Sequence, residues 1–525
     1  MERVYLYDTT LRDGTQRRGL SLSLEDKIQI AALLDDFGFD YIEGGWPASN
    51  PKDTAFFERT RGTTKNSQIA AFGSTRRKGI RADEDLSLRA IVDLEVSVAT
   101  IFGKASLFQV EKILETDRAE NLRMVEESVR FLVDHGITVI FDAEHYFDGL
   151  TVDAQYALAV LAAAEQGGAA WVVLCDTNGG SLPAWIRHGV EEAQTVIRLP
   201  LGIHAHNDAG LAVANSLEAV AAGATMVQGT INGYGERCGN ANLCTVWPNL
   251  VWKMNRPCGR TDRLQDLTRL SRTVAEIANL APDDGAPYVG ENAFTHKAGV
   301  HAGAVRKYPQ AYEHIEPSRI GQTRRILVSE LAGRSNLLYH FDELLDAEQI
   351  QSLIEQVKDL EAQGYQFEDA ESSMRLMVER SVKRLPSYYA VERFHVSVTH
   401  DQQSICEATV RMRVGEGHFV EVGEGAGPVQ ALDDAMRKAL TEVYPQVREL
   451  RLTDYKVRVL DGRDATGAAV RVWMRSEYGD GVIQTVGVSR NILVASWQAL
   501  TDSIDYLLWS TEVPSRHVAN ADSVV

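Results

Sequence analysis

The chain is poor in the features that mark several classes of protein. Its 525 residues include five cysteines and no C-x-x-C pair. That argues against a disulfide framework and fits a reducing compartment. No apolar run reaches the 18 or more residues of a membrane helix. The longest candidate, AVLAAAEQGGAAWVVL, is interrupted by charge and glycine. The opening MERVYLYDTT has no apolar stretch followed by a small-residue cleavage site, so a cytoplasmic protein is expected. Positive charge is also in deficit: 54 Lys and Arg stand against 73 Asp and Glu, a net charge of −19. Neither nucleic acid nor an anionic membrane is therefore expected as a partner. A dinucleotide fingerprint G-x-G-x-x-G does not follow the first β-rich run, which counts against a doubly wound sheet.

What is present is alternation. Short β-rich runs at Val4–Tyr7, Tyr41–Glu43, Ile69–Phe72, Val96–Thr100, Val139–Phe141, Trp171–Cys175, Leu201–His204 and Met226–Gly229 are separated by helical patterns. Examples are SLEDKIQIAALLDDFG (23–38) and RAENLRMVEESVRFLVDHG (118–136), each closed by a glycine in the C-cap region. Eight strand–helix units in some 250 residues predict a (β/α)8 TIM barrel over 1–260. Residues 261–390 read as a charged, mainly helical linker region. Residues 391–510 read as an α+β domain with two passes of strands followed by a helix, an internal duplication. Residues 511–525 read as a frayed tail.

In such a barrel, polar residues that follow the strands gather at one mouth, where the chemistry sits. Here they do: DTTLRDGTQ, EGGWPASNP, DAEHYFDG, DTNGG, HAHNDAG and TINGYGERCGNANL all follow strands. His204 and His206 are two apart and share one face of a strand. Asp13 follows the first strand and Asn240 lies in the loop after the eighth. Strands one, seven and eight are neighbours in a closed barrel, so the four residues can meet. Such a mixed N and O set suits Mn2+, Mg2+, Zn2+ or Co2+ and leaves positions open for substrate oxygens. The plainer alternative is that Asp13 and Asn240 only cap turns or helices. Arg12 can steady an anionic substrate whose oxygen gains charge, or can pair with Asp8 or Glu43. Thr177 can donate to a carboxylate or serve as a turn residue. Glu144 and Glu236 are candidates for proton transfer or for barrel salt bridges.

LYDTTLRDGTQ, HAHNDAGLA and GYGERCGNANL resemble the DRE-TIM metallolyases, which make or break carbon–carbon bonds at a divalent metal. FTHKAGVHAGAV, RRILVSELAGRSN and the duplicated tail resemble the α-isopropylmalate synthase and citramalate synthase branch, and FDAEHYFDG and DYKVRVLDGRDATG are most similar to its citramalate synthases. The resemblance covers nearly the whole chain. It implies Asp13, His204 and His206 as metal ligands with Asn240 nearby or fourth. It also implies Arg12 on the keto oxygen, Thr177 on the carboxylate of a 2-oxo acid, and Glu144 beside that acid. His301 would be the catalytic histidine, oriented by Glu236, with Tyr312 assisting and Tyr308 as the alternative alignment. The implied reaction is a Claisen-type condensation of acetyl-CoA with pyruvate, and the implied assembly is a homodimer with a branched-chain amino acid effector on the tail. Alternatives are a larger 2-oxo acid, as in α-isopropylmalate synthase, or an amino-acid-binding regulatory protein built on an inactive barrel.

Overall fold

In a computed structural model of the chain, the described residues are 2–512 apart from 48, 328–344, 383, 401–403, 462–463, 465–466 and 480. Nearly all of the expected 511–525 tail, and parts of RRILVSELAGRSN and DGRDATG, lie outside them. The chain divides into two compact units, Met1–Phe294 with Ile315–Thr323 and Thr295–His314 with Arg324–Val525.

The first unit is a closed parallel barrel with its eight strands in sequence order. The strands are β1 (Tyr5–Asp8), β2 (Tyr41–Gly45), β3 (Gln68–Ser74), β4 (Val98–Lys104), β5 (Thr138–Glu144), β6 (Trp171–Asp176), β7 (Leu201–Ala205) and β8 (Met226–Gly229). Alternation divides each strand between two surroundings. Leu6, Val172 and Leu174 pack outward in the large cluster shared with the helices, whereas Tyr7, Trp171 and Val173 fill the barrel interior. Strands β4 and β5 run further than their apolar stretches, because the same alternation continues through Phe102 and Lys104 and through Asp142 and Glu144. The interior thus passes from apolar at one end to polar at the other.

Local signals set the helices. Ser23 and Asp26 form a capping box on the helix Leu24–Phe37, and Gly38 ends it at φ 75°. Asp117 caps Arg118–Asp134 by accepting from the Glu120 N–H.

In the second unit, β9 (Thr295–His296) and β10 (Arg325–Ile326) pair in parallel. Helices Gly299–Lys307, Ala347–Ala362 and Glu371–Ser381 precede two antiparallel meanders. The first comprises β11 (Ala390–His400), β12 (Ser404–Val414) and β13 (Gly417–Gly425), followed by the helix Pro428–Thr441. The second comprises β14 (Arg451–Val459), β15 (Val470–Tyr478) and β16 (Gly481–Ser489), followed by the helix Ile492–Ser510. The two halves share a detail of packing. A side chain at Gly423 would meet the Ala431 carbonyl at 2.2 Å, and one at Gly487 the Ala495 carbonyl at 2.1 Å. In each half the third strand carries a glycine so that the following helix can lie against bare backbone.

Candidate metal centre

The loop after β1 turns back over the barrel. Thr9 accepts from the Asp13 N–H through its hydroxyl, and its carbonyl accepts from Gly14 at 3.0 Å. Asp13 thereby comes to rest 3.5 Å from His204 Nε2. His204 lies on β7 and His206 just beyond it, with their Nε2 atoms 3.3 Å apart. The candidate ligand atoms of Asp13, His204 and His206 all lie within 4.8 Å of one another, and all three residues are buried. The Asn240 amide approaches His204 Nε2 at 3.5 Å, held there by a bridge between His206 and Asn240. Two glycines make that approach possible. A side chain at Gly235 would meet Asn240 Oδ1 at 2.2 Å, and Gly239, at φ 91°, has the Gly233 carbonyl where its Cβ would be.

This set fits a divalent cation. Asp13 Oδ1, His206 Nδ1 and Asn240 Oδ1 are buried without a hydrogen-bond partner, an arrangement that native interiors rarely leave unexplained. Burial and the neighbouring His204 push His206 down to about 3, so it stays neutral, the form that ligates metals. Burial resists charge on Asp13, but Arg12 and His204 outweigh it and hold the carboxyl well below its usual range.

Arg12 is anchored rather than free. Its Nε donates to Glu43 at 2.6 Å and its Nη1 to Asp13 at 3.2 Å, and its guanidinium lies 3.7 Å from the Phe72 ring centre. Glu43 is fully buried and also accepts from Tyr7 and Thr9. The Phe72 ring stacks on Phe102, and Trp46 stands edge-on to both. The ion pair with Glu43 and a place beside the candidate metal residues therefore coexist in one side chain.

Glu144 ends β5, in register with Lys104 on β4, and the two form an ion pair. Thr177 accepts from the His145 N–H at 2.8 Å, which leaves its own hydroxyl proton available for donation. His145 sits at φ 63° and its Nδ1 donates to the Asp148 carboxylate at 2.9 Å. Glu236 is exposed, 3.6 Å from Arg237, while Arg237 grips Asp208 through two bonds and donates to the Thr177 carbonyl. His301 and Tyr312 belong to the second unit, where their rings stack at 4.1 Å; Tyr308 is 72% exposed. Beside them the buried Glu313 accepts from Arg324 and pairs with His296.

Three residues escaped sequence reasoning: Lys104, Asp142 and Gln228. Each occupies an interior-facing position an even number of residues, two or six, beyond an apolar interior residue, Val98, Ile140 or Met226. Strand parity could have found them.

The HMGL-like family model matches residues 3–274, slightly over half of the chain. The chain belongs to the HMGL-like family. Residues 288–365 match a homocitrate synthase post-HMGL domain-like model, and 368–508 match the LeuA allosteric (dimerisation) domain. The (R)-citramalate synthase of Synechocystis sp. is 49% identical over 96% of this chain and 96% of its own length. That of Aquifex aeolicus is 48% identical over 97% and 99%. A probable 2-isopropylmalate synthase from Methanopyrus kandleri is more distant, at 33% over 96% and 98%. Among the described residues, no helix is long and apolar enough to cross a membrane.

Proposed function

We propose that the chain condenses acetyl-CoA with pyruvate to give (R)-citramalate and CoA at a divalent metal ion. The observation that carries this reading is the buried convergence of Asp13, His204 and His206 beside the tethered Arg12, in a chain 42–49% identical to five (R)-citramalate synthases over almost its whole length. Asp13, His204 and His206 would hold the ion, with Asn240 alongside. When bound, the ion supplies Lewis-acid polarisation of the ketone and a template for the 2-oxo acid. The chain's own groups do the rest. Arg12, aimed by Glu43, faces the keto oxygen as it gains negative charge. The Thr177 hydroxyl, released for donation by its bond from His145, holds the substrate carboxylate. The aromatic wall of Phe72, Phe102 and Trp46 beside Arg12 suits a 2-oxo acid with a short apolar chain. His301, stacked on Tyr312, takes a proton from the acetyl methyl; the methyl carbon then bonds to the keto carbon, and water cleaves the thioester. Glu144, paired with Lys104, is assigned to the 2-oxo acid, and the family likeness implies that Glu236 would orient His301.

Residues 391–510, nearly all of them within the match to the LeuA allosteric (dimerisation) domain, are read as the regulatory part of a homodimer, responding to a branched-chain amino acid. Two glycine-rich turns of this part, GEGAGP (423–428) and DGRDATG (461–467), would offer backbone N–H groups to the ligand carboxylate, but GEGAGP already commits two of its own. Glu424 donates to Asp434 and Ala426 to Gln430. The other turn, DGRDATG, lies partly outside the described residues.

Thiol release from acetyl-CoA across a panel of 2-oxo acids tests the reaction. Pyruvate is expected to be used best. A preference for 2-oxoisovalerate would make the chain an isopropylmalate synthase, and release with no acid would leave an amino-acid-binding protein.

A further inference from the structure

Beneath the candidate ligands lies a buried polar chain that no part of the reaction above uses. Gln228 sits on β8 directly beside His204 in the strand register and is fully buried. Its Oε1 is 2.8 Å from His204 Nδ1, and its Nε2 donates to Asp142 Oδ1 at 3.0 Å. Asp142 comes from β5, on the far side of the interior, and is itself buried. We propose that Gln228, anchored by Asp142, is a positioning residue that fixes His204 in the one tautomer able to bind the metal.

An amide has one accepting end and one donating end. The Asp142 oxygen facing it is an acceptor, so the Gln228 NH2 must point there. The Gln228 carbonyl then faces His204, and Nδ1 of the imidazole must carry the proton. Nε2 is left with its lone pair directed at Asp13 and His206, which stand 3.5 and 3.3 Å away. Ligating histidines are generally oriented by a partner on their other nitrogen, and losing that partner typically weakens metal binding about 10–100-fold. A glutamine does this without adding a third carboxylate to an interior that already holds Asp142 and Glu43.

The inference rests on the metal reading of this site, and the test keeps the two apart. The full-length chain is stripped with a chelator and titrated with Mn2+ by calorimetry. Wild type, Gln228→Met, Gln228→Asn and Asp142→Leu are compared, together with the double variant Gln228→Met/Asp142→Leu. The shorter Gln228→Asn is the gentler change, since it stays polar but spans the two partners poorly. Each single variant is expected to bind Mn2+ roughly 10–100-fold more weakly. The double variant should be no worse than Gln228→Met, the result expected when the anchor works mainly through the amide. Metal-free melting curves separate positioning from packing. Wild-type Mn2+ affinity in the folded Gln228 variants, or additive losses in the double variant, would overturn the relay. A wild-type chain that binds no Mn2+ would instead remove the metal reading, and the relay with it.

Discussion

Two buried charge clusters, one in each unit, differ in a way that separates a site from a scaffold. At the barrel mouth, Asp13, His204, His206 and Asn240 crowd together, and three of their polar atoms have no partner. In the second unit, Arg380 bonds Asp502 and Asp505 at 2.9 Å each, Ser373 donates to Asp502 at 2.7 Å, and Tyr389 donates to the Thr501 carbonyl. That cluster joins the helices Glu371–Ser381 and Ile492–Ser510 and closes on itself. Burial alone does not mark function, because both clusters are buried and both perturb their carboxyl groups. Incompleteness sets the barrel cluster apart: Asp13 Oδ1 and Asn240 Oδ1 lack a hydrogen-bond partner there, an arrangement a bound cation would satisfy.

The comparison makes its strongest demand at Asp13. Asp13→Asn removes one carboxylate oxygen from an open cluster without changing volume. Condensation should be abolished and metal lost, while the metal-free protein stays folded. Metal analysis, thiol release and circular dichroism on the same preparation check this; an active variant would end the ligand assignment.

His301 sharpens the contrast from the other unit. His301→Ala should lower kcat roughly 10²–10⁴-fold, as expected for a lost acid–base group, and leave Mn2+ affinity unchanged. If the histidine only packs against Tyr312, the variant would melt earlier and keep its kcat.

Arg380 should behave in the opposite way. Arg380→Met leaves two carboxylates facing each other, at a cost of roughly 1–3 kcal/mol once the partial exposure of the arginine is allowed for. The loss should appear in a denaturant melt of the second unit, with Mn2+ affinity at the wild-type value.

The smallest effect is a pH slope. Burial pushes the Asp505 carboxyl up to about 6, Arg380 opposing and Asp502 adding to the rise. A carboxyl raised above its unfolded value of about 4 binds its proton more tightly when native. Its contribution is complete below pH ~4 and is lost as pH climbs towards about 6. Asp505→Asn should flatten that stretch of the stability profile; an unchanged slope would assign it to other groups.

The barrel and its mouth were legible because each signal is local. Eight apolar runs announced eight strands; His204 ends one of those runs, and Asp13, His206 and Asn240 lie in the polar segments that follow strands. Strand ends were read short where polar residues face inward, as at Lys104 and Glu144. Gln228 stayed hidden for a different reason. It is one polar residue within an apolar stretch, and its meaning depends on which residues of β7 and β5 stand opposite. In the turn GEGAGP, two N–H groups are claimed by Gln430 and Asp434 from the helix that follows, a pairing visible only once the helix is folded back. His301 and Tyr312 were readable through family likeness rather than from spacing.

The most direct test of the open cluster is thiol release from acetyl-CoA and pyruvate by chelator-stripped protein, before and after Mn2+ is restored. The account predicts no release from the stripped protein, full recovery on adding the ion, and no recovery in Asp13→Asn. Release that persists undiminished without any divalent ion would contradict it.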